Sequence, residues 1–168
     1  MSWLRLASLA AALPAACSQD SAEVASLCGT FATSLTVKDR MSQAANVFNP
    51  DEPIRFELTI TNTANAPATL TASSSCTAVV FEVTDSAGRR LWGSADHIAC
   101  IQMLQPRTYA PLEAVSEASE WDQRDSSGAP VPLGTYVVTA AVGQYVTDDG
   151  GLVDCRTPLG RSATFEIR

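Results

Sequence analysis

The sequence has few positive charges. Its 168 residues contain 11 Lys and Arg against 18 Asp and Glu, and Lys38 is the single lysine. Nucleic-acid-binding proteins depend on clustered Lys and Arg that contact phosphates, and no such patch interleaved with aromatic residues is present. The composition therefore argues against a nucleic-acid partner, and the acidic excess favours solubility.

Groups that perform catalysis are also scarce. His97 is the one histidine, and its neighbours Ser94 and Asp96 are too close to it in sequence to form a catalytic triad. The sequence contains neither a G-x-S-x-G motif nor a phosphate-binding glycine loop. We therefore predict that the protein is not an enzyme and needs no cofactor. Three spaced glutamates are typical of a solvated strand face and not of a glycosidase pair: Glu113, Glu117 and Glu120.

No apolar run reaches the length of about 18 residues that a membrane-spanning helix needs. Residues 1–17 instead have the layout of a secretory signal, with Arg5 before a short apolar run and then small residues. The ending "LPAAC" resembles a bacterial lipoprotein signal, in which Cys17 is lipidated and begins the mature chain. Cleavage by the ordinary signal peptidase, after Ala12 or Ala16, is the alternative.

The signal predicts an exported protein of the bacterial cell envelope or periplasm, which contacts the membrane only through a lipid on Cys17. Without residues 1–17 the chain loses Arg5 and no acid, which leaves 10 basic and 18 acidic residues and a formal charge of 10 − 18 = −8. We predict that residues 18–27 form a flexible tether and that residues 28–168 form one domain.

Four cysteines remain after Cys17, and an even number in an exported chain predicts two disulfides. Three pairings are possible. We favour Cys76–Cys100, which brackets a predicted hairpin, and Cys28–Cys155, which joins the start of the fold to its last loop. The alternative is a metal site that combines Cys76, His97 and Cys100, but no C-x-x-C pair supports it.

Alternating apolar and polar residues predict β-strands throughout the domain. The segment Ile54–Asn62 alternates over its whole length, and Phe31–Lys38 and Gly134–Val146 also alternate. Asn, Asp, Gly and Pro separate these segments. We predict an all-β fold, an antiparallel immunoglobulin-like β-sandwich of about seven to eight strands.

The segment "EWDQRDSSGAPVPLGTYVVTA" raises a choice between a turn and an ion site. Asp122 to Gly128 has turn composition, and the aromatic residues Trp121 and Tyr136 lie on either side of it. The Tyr136 hydroxyl is expected to donate a hydrogen bond back across the connection.

The ion-binding alternative is a Ca²⁺ site. It would use Asp122 and Asp125, with Asp148 and Asp149 as distant donors. Calcium takes six or more oxygen ligands, and only two carboxylates are local, so we favour the turn and predict no metal.

The same segment carries a family resemblance. Its pattern W-D-x-x-D-x-x-G-x-x-V-P-x-G-T-Y resembles the end of the BsuPI domain, the family of a Bacillus intracellular proteinase inhibitor. Upstream, "FNPDEPIRFELTITNTANAPATLT" and "VVFEVTDSAGRRLWGSAD" are similar to the family's opening strands and hairpin. The approach to the Trp-Asp pair has Leu112 where the family usually has Gly. The matching positions are Trp92, Gln102, Trp121, Asp122, Asp125, Gly128, Gly134 and Tyr136.

The resemblance covers roughly Phe48 to Val142 and implies an all-β sandwich that inhibits serine proteases. The last motif alone also resembles the immunoglobulin-like half of flagellar hook-capping proteins. Unlike the family, this chain has a predicted export signal and four additional cysteines.

A substrate-like inhibitor needs an exposed, braced loop, and Ile101 to Pro111 is the best candidate because it follows Cys100. The alternative for this segment is an ordinary crossover between two sheets. The alternative function is an immunoglobulin-like envelope module, structural or protein-binding, without inhibitory activity. The candidate inhibitory residues are Met103, Leu104, Gln105, Pro106 and Arg107.

Overall fold

Twelve β-strands make up the described part of the chain. The computed structural model describes residues 28–72, 74, 79–96, 98–142, 144–148, 151–155 and 159–168. The predicted all-β class is confirmed, with more strands than the seven or eight expected. In chain order they are β1 (Phe31–Lys38), β2 (Val47–Phe48), β3 (Ile54–Asn62), β4 (Ala68–Ala72), β5 (Val79–Asp85), β6 (Arg90–Gly93), β7 (Gln105–Tyr109), β8 (Ala114–Trp121), β9 (Gly134–Val142), β10 (Gln144–Asp148), β11 (Gly151–Asp154) and β12 (Arg161–Ile167).

Two facing sheets enclose the core. One has the order β1-β3-β8, and the other has the order β2-β12-β9-β5-β6. The strict alternation in β3 places every second side chain in the core, because successive residues of a strand point to opposite faces. The Phe56 ring of β3 lies 6.2 Å from the Phe81 ring of β5 and 5.8 Å from the Phe165 ring of β12, measured between centroids. The predicted sandwich therefore has its core between these two sheets.

The short strand β2 closes one side of the five-stranded sheet. It runs parallel to β12, with Val47 opposite Glu166 and Phe48 opposite Ile167. Every other strand pairing in the described residues is antiparallel. Phe48 is buried and its ring meets that of Phe165 edge to face at 5.8 Å, so even this two-residue strand contributes to the core.

A third sheet, of order β11-β10-β4-β7, extends one end of the sandwich. Strand β4 follows β3, and β10 follows β9, so the third sheet lies where β3 and β9 end. We call this the sheet end. The opposite end, where Ile54 pairs with Trp121 and Asp85 with Tyr136, carries the connections 49–53, 86–89 and 122–133. We call it the turn end.

The third sheet accounts for part of the excess over the expected strand count. The side chains of β7 are exposed at four of five positions, so the strand lacks the alternation by which a half-buried strand is found. In the described residues β10 pairs with β11 on one side and with β4 on the other.

One predicted disulfide is confirmed. Cys28 and Cys155 are bonded, their Cα atoms lie 5.5 Å apart, and both side chains are buried. The bond joins the residues before β1 to the residue after β11 and thus closes the sheet end. Cys100 is also disulfide-bonded. Cys76 and His97 lie outside the described residues, so the Cys76–Cys100 pairing stays a prediction.

The segments predicted as signal and tether, residues 1–17 and 18–27, also lie outside the described residues. Within the described part of the chain no helix has the length and apolar character that a membrane span requires.

Loss of the Cys28–Cys155 disulfide should destabilise the domain. The bond spans 127 residues of sequence. A cross-link over so long a loop restricts the unfolded chain strongly, so we expect the double substitution Cys28→Ser and Cys155→Ser to lower the free energy of unfolding by about 3–5 kcal/mol. Urea unfolding measures this difference. Equal midpoints for the double variant and the oxidised wild type would contradict the prediction.

Candidate functional site

At the turn end, two aromatic side chains hold the family motif in place. Trp121 is fully buried, and its indole N–H donates a hydrogen bond to the carbonyl of Arg124 at 2.7 Å. The Tyr136 hydroxyl donates to the carbonyl of Pro132, so the hydrogen bond expected from the sequence is present. The two rings meet at 5.9 Å in an edge arrangement. Both sides of the connection are therefore attached to the core.

Asp125 closes the turn inside this connection. One of its carboxylate oxygens accepts hydrogen bonds from the backbone N–H of Ser127 (2.9 Å), the hydroxyl of Ser127 (2.6 Å) and the backbone N–H of Ala129 (3.0 Å). The bond from the Ser127 hydroxyl is the main cause of a pKa for Asp125 below its ordinary value. Gly128 has φ +84°, a conformation that glycine adopts without strain. The turn thus satisfies its own polar groups.

The calcium alternative finds no support in the described residues, which contain no group of three or more His, Cys, Asp or Glu able to hold a metal. Asp122 accepts a hydrogen bond from the backbone N–H of Arg124 at 3.2 Å, as in an ordinary Asx turn. Asp149 lies outside the described residues, as does the side chain of Asp148. The geometry of Asp122 and Asp125 is that of a turn.

Gln123 is a structural residue that the sequence patterns do not reveal. It has φ +61° and is buried. Its side-chain N–H₂ donates to the carbonyls of Asn49 and Glu52, both at 2.8 Å, and its carbonyl accepts from the backbone N–H of Asp51 at 3.0 Å. The connection 122–133 is thereby hydrogen-bonded to the connection 49–53, which precedes β3. A glutamine in a polar stretch has no periodic signal that would predict this role.

Family positions from two motifs line one cleft at the turn end. It has a volume of about 380 Å³, and its lining includes the family positions Trp92, Asp122, Asp125 and Gly128 together with Ser94. The Ser94 hydroxyl accepts from the backbone N–H of Phe81 at 3.0 Å. The hydrogen bonds described for this end serve the fold, which supports a structural role for the motif.

At the sheet end, exposed apolar side chains are concentrated in one segment. Residues 98–104, which we call the exposed segment, form neither strand nor turn. The segment also contains Gln102, one of the family positions, with its side chain exposed. Eight large hydrophobic side chains are exposed in the described residues, and four belong to this segment: Ile98, Ile101, Met103 and Leu104. Such clustering of apolar surface marks candidate binding sites.

The last four residues of the exposed segment, 101–104, are restrained on both sides. The disulfide at Cys100, within the segment, holds them on one side. On the other side the segment runs into β7, whose first residue, Gln105, pairs with Ala72 of β4. The residues between these two points are 101–104. Strand β7 forms one edge of the third sheet.

Three of the five candidate inhibitory residues therefore lie in a strand and not in the predicted loop. Gln105, Pro106 and Arg107 lie in β7 and pair with β4, whereas Met103 and Leu104 lie in the exposed segment. Pro106 favours a loop in sequence because it lacks a backbone N–H, but an edge strand tolerates proline, since one side of the strand needs no partner.

The end of β7 that is distant from the exposed segment, around Tyr109, is packed and hydrogen-bonded. The guanidinium carbon of Arg107 lies 5.3 Å from the centre of the Tyr109 ring, and its Nη1 is 3.7 Å from Oε1 of Glu117. Tyr109 is buried, and this burial raises the pKa of its hydroxyl. The buried side-chain amide of Asn62 donates to the carbonyls of Tyr109 (3.2 Å) and Ala110 (3.0 Å).

The turn between β7 and β8 explains a difference from the family. The backbone N–H of Glu113 donates to the carbonyl of Ala110 at 3.1 Å, and Leu112 within this turn has φ +60°. A turn with Pro111 first and a positive φ second is the type in which glycine is preferred. Leu112 therefore occupies a position for which the glycine usual in the family is better suited.

Comparison with protein families shows which family the chain belongs to. The sequence profile of BsuPI, described as an intracellular proteinase inhibitor, matches residues 41–144. This chain belongs to the BsuPI family. The match includes the exposed segment and the turn-end motif. It excludes Cys28, Cys155 and strand β11, so the disulfide that closes the sheet end lies outside the family region.

No curated protein matches the chain. Among solved structures, it is similar to the alkylpurine DNA glycosylase AlkC of Pseudomonas fluorescens, with TM-score 0.44 and 20% identity over 83% of this chain and 30% of that one. It is also similar to the β-glucosidase EmGH1 of Erythrobacter marinus, with TM-score 0.44 and 14% identity over 82% and 15%. A third is the CARDB domain of PF1109 from Pyrococcus furiosus, with TM-score 0.39 and 13% identity over 81% and 89%. The chain spans less than a third of the length of the first two of these proteins.

The charge of Asp125 should matter for stability only where the carboxylate is ionised. Its folded pKa is lowered, so its contribution is present above the unfolded pKa of about 4 and is lost as the pH falls through the lower folded value. We expect Asp125→Ala to lower the melting temperature at pH 7 and to approach the wild type at acidic pH. Asp122→Ala is the control, because its more exposed carboxylate accepts a single, longer backbone bond. Equal effects of both substitutions at pH 7 would contradict the assignment.

Proposed function

We propose that this chain is an exported, non-enzymatic inhibitor of serine proteases. The observation that carries the proposal is the exposed segment, where four exposed apolar side chains lie within the region matched by a family described as a proteinase inhibitor. The segment would enter the active-site cleft of the protease, with the start of β7 following it.

The restraint of the segment supports this role. A protease binds an extended stretch of backbone, and a flexible stretch loses conformational entropy when it becomes ordered in the cleft. The disulfide at Cys100 and the pairing of Gln105 with Ala72 limit that loss, because only residues 101–104 lie between them. Such an inhibitor also resists release after cleavage, since both ends stay attached to the domain.

A second candidate function is supported by the edge of β7. Among the described strands β7 pairs with β4 alone. An exposed edge can bind an extended segment of another protein as an additional strand. The chain would then be an envelope binding module without inhibitory activity. Pro106 weakens this alternative, because it has no backbone N–H to donate to an added strand.

Export is supported by the cysteines. The Cys28–Cys155 disulfide and the disulfide at Cys100 are typical of an oxidising compartment such as the bacterial periplasm. We propose that the signal in residues 1–17 directs the chain there and that a lipid on Cys17 anchors it to a membrane, with residues 18–27 as a tether. The partner is then a protease of the envelope or of the surroundings.

The inhibitory function predicts stoichiometric inhibition. The purified, oxidised chain should inhibit subtilisin-like or trypsin-like proteases with a Kd on the order of nanomolar. Titration of protease activity measures this affinity. Asp122→Ala, at the opposite end, is the matched control and should inhibit as the wild type does. If every protease in the panel stays active while the chain remains intact, the binding-module alternative takes precedence, and pull-downs from the cell envelope would search for its partner.

The lipid anchor predicts a change of partition. We expect Cys17→Ala to move the protein from the membrane fraction to the soluble fraction, because the thiol that carries the lipid is absent. Fractionation of cells that express each form measures this, and Ser26→Ala, in the predicted tether, serves as a substitution that leaves the anchor in place. Unchanged partition of Cys17→Ala would contradict the anchor.

A further inference from the structure

We propose that Leu104 is the side chain that enters the S1 specificity pocket of the target, and that the target is therefore a protease with an apolar S1 pocket. The inference rests on the proposed inhibitory function and assigns the specificity-determining residue within it. A protease of the trypsin class, whose S1 pocket contains a carboxylate and takes Lys or Arg, would be a poor target.

Leu104 has the position and exposure that this role requires. It is 60% exposed and is the last residue before β7. The two residues after it, Gln105 and Pro106, are exposed and held in extended conformation by β4. A protease binds both sides of the peptide bond that it recognises, so an exposed leucine that leads into an accessible extended strand presents its side chain and the next residues together.

Met103, the neighbouring apolar residue, is less suitable. It is 43% exposed, and its sulfur accepts a hydrogen bond from the side-chain amide of Gln105 at 3.4 Å. Its side chain is thus already in contact with the strand that follows. A peptide bound in a protease cleft is extended, and its consecutive side chains point in opposite directions, so only one of Met103 and Leu104 can enter the pocket.

Two exposed arginines, Arg107 and Arg40, are less suitable than Leu104 for entering an S1 pocket. Arg107 lies within β7, packs on the Tyr109 ring and approaches Glu117. Arg40 is exposed, but it lies in a tight turn in which the N–H of Ser42 donates to the carbonyl of Asp39 at 2.9 Å. A closed turn cannot lie extended in a protease cleft. Neither of these two arginines therefore suits an S1 pocket that contains a carboxylate.

The test compares substitutions at two adjacent residues. Leu104→Glu places a charge in an apolar pocket, and Leu104→Phe keeps an apolar side chain there. Met103→Glu is the control for charge at the neighbouring position. Each variant of the full, oxidised chain is titrated against subtilisin and chymotrypsin, which have apolar S1 pockets, and the wild type is also titrated against trypsin. Melting temperatures confirm that the variants fold, which we expect because both side chains are substantially exposed.

We expect the wild type to inhibit subtilisin, chymotrypsin or both, and to inhibit trypsin at least about 100-fold more weakly. Leu104→Glu should weaken inhibition by about 100-fold or more, whereas Leu104→Phe and Met103→Glu should change it by less than about tenfold. If the wild type inhibits trypsin best, or if Leu104→Glu inhibits as the wild type does, the assignment of Leu104 is overturned while the inhibitory function stands. If the wild type inhibits none of the three proteases, both proposals fall.

Discussion

The packing of Trp121 is the contact on which the rest of the sandwich depends. Its indole is fully buried at the end of β8 and meets four other aromatic rings from both core sheets, at centroid distances of 5.9 to 6.4 Å. An aromatic ring that large removes much apolar surface from water, and its N–H must find a partner when buried. The partner is the carbonyl of Arg124, so the same residue that joins the sheets also begins the motif turn. The four rings are those of Phe56, Trp92, Tyr136 and Phe165.

The two ends of the sandwich differ in what their side chains do. At the turn end, the side chains of Gln123 and Asp125 form hydrogen bonds with backbone groups. The family motif therefore stabilises the fold. The sheet end has a disulfide outside the family region, an additional sheet and a segment of exposed apolar residues. Apolar side chains left in water stabilise nothing in the free domain, and this favours binding over folding as their purpose. The family positions at the turn end therefore serve the fold, whereas Leu104 in the exposed segment carries the proposed specificity.

Much of the fold could be predicted from local patterns. The alternation of Ile54–Asn62 predicted a half-buried strand, and the structure has a strand over those residues with the expected face buried. The pairing of Cys28 with Cys155 was also predicted, because it joins the first and last parts of the domain. Local patterns do not predict structure where burial does not alternate along the chain. Gln105, Pro106 and Arg107 were expected in a loop but lie exposed on an edge strand. Gln123 has no local signal, because it is buried by contacts with residues some 70 positions earlier.

The sequence by itself determined the all-β class, the family and the turn chemistry around Asp125, because these depend on residues close to one another in the chain. Only the tertiary structure decided that Pro106 lies in a strand and that Leu104, not Arg107, is presented at the end of an exposed segment. The physical reason is that edge pairing and side-chain exposure depend on elements brought together from distant parts of the chain. Residues Ala72 and Glu117, which hold Gln105 and Arg107, belong to strands on either side of β7 in the sequence. No local pattern around residue 105 contains that information.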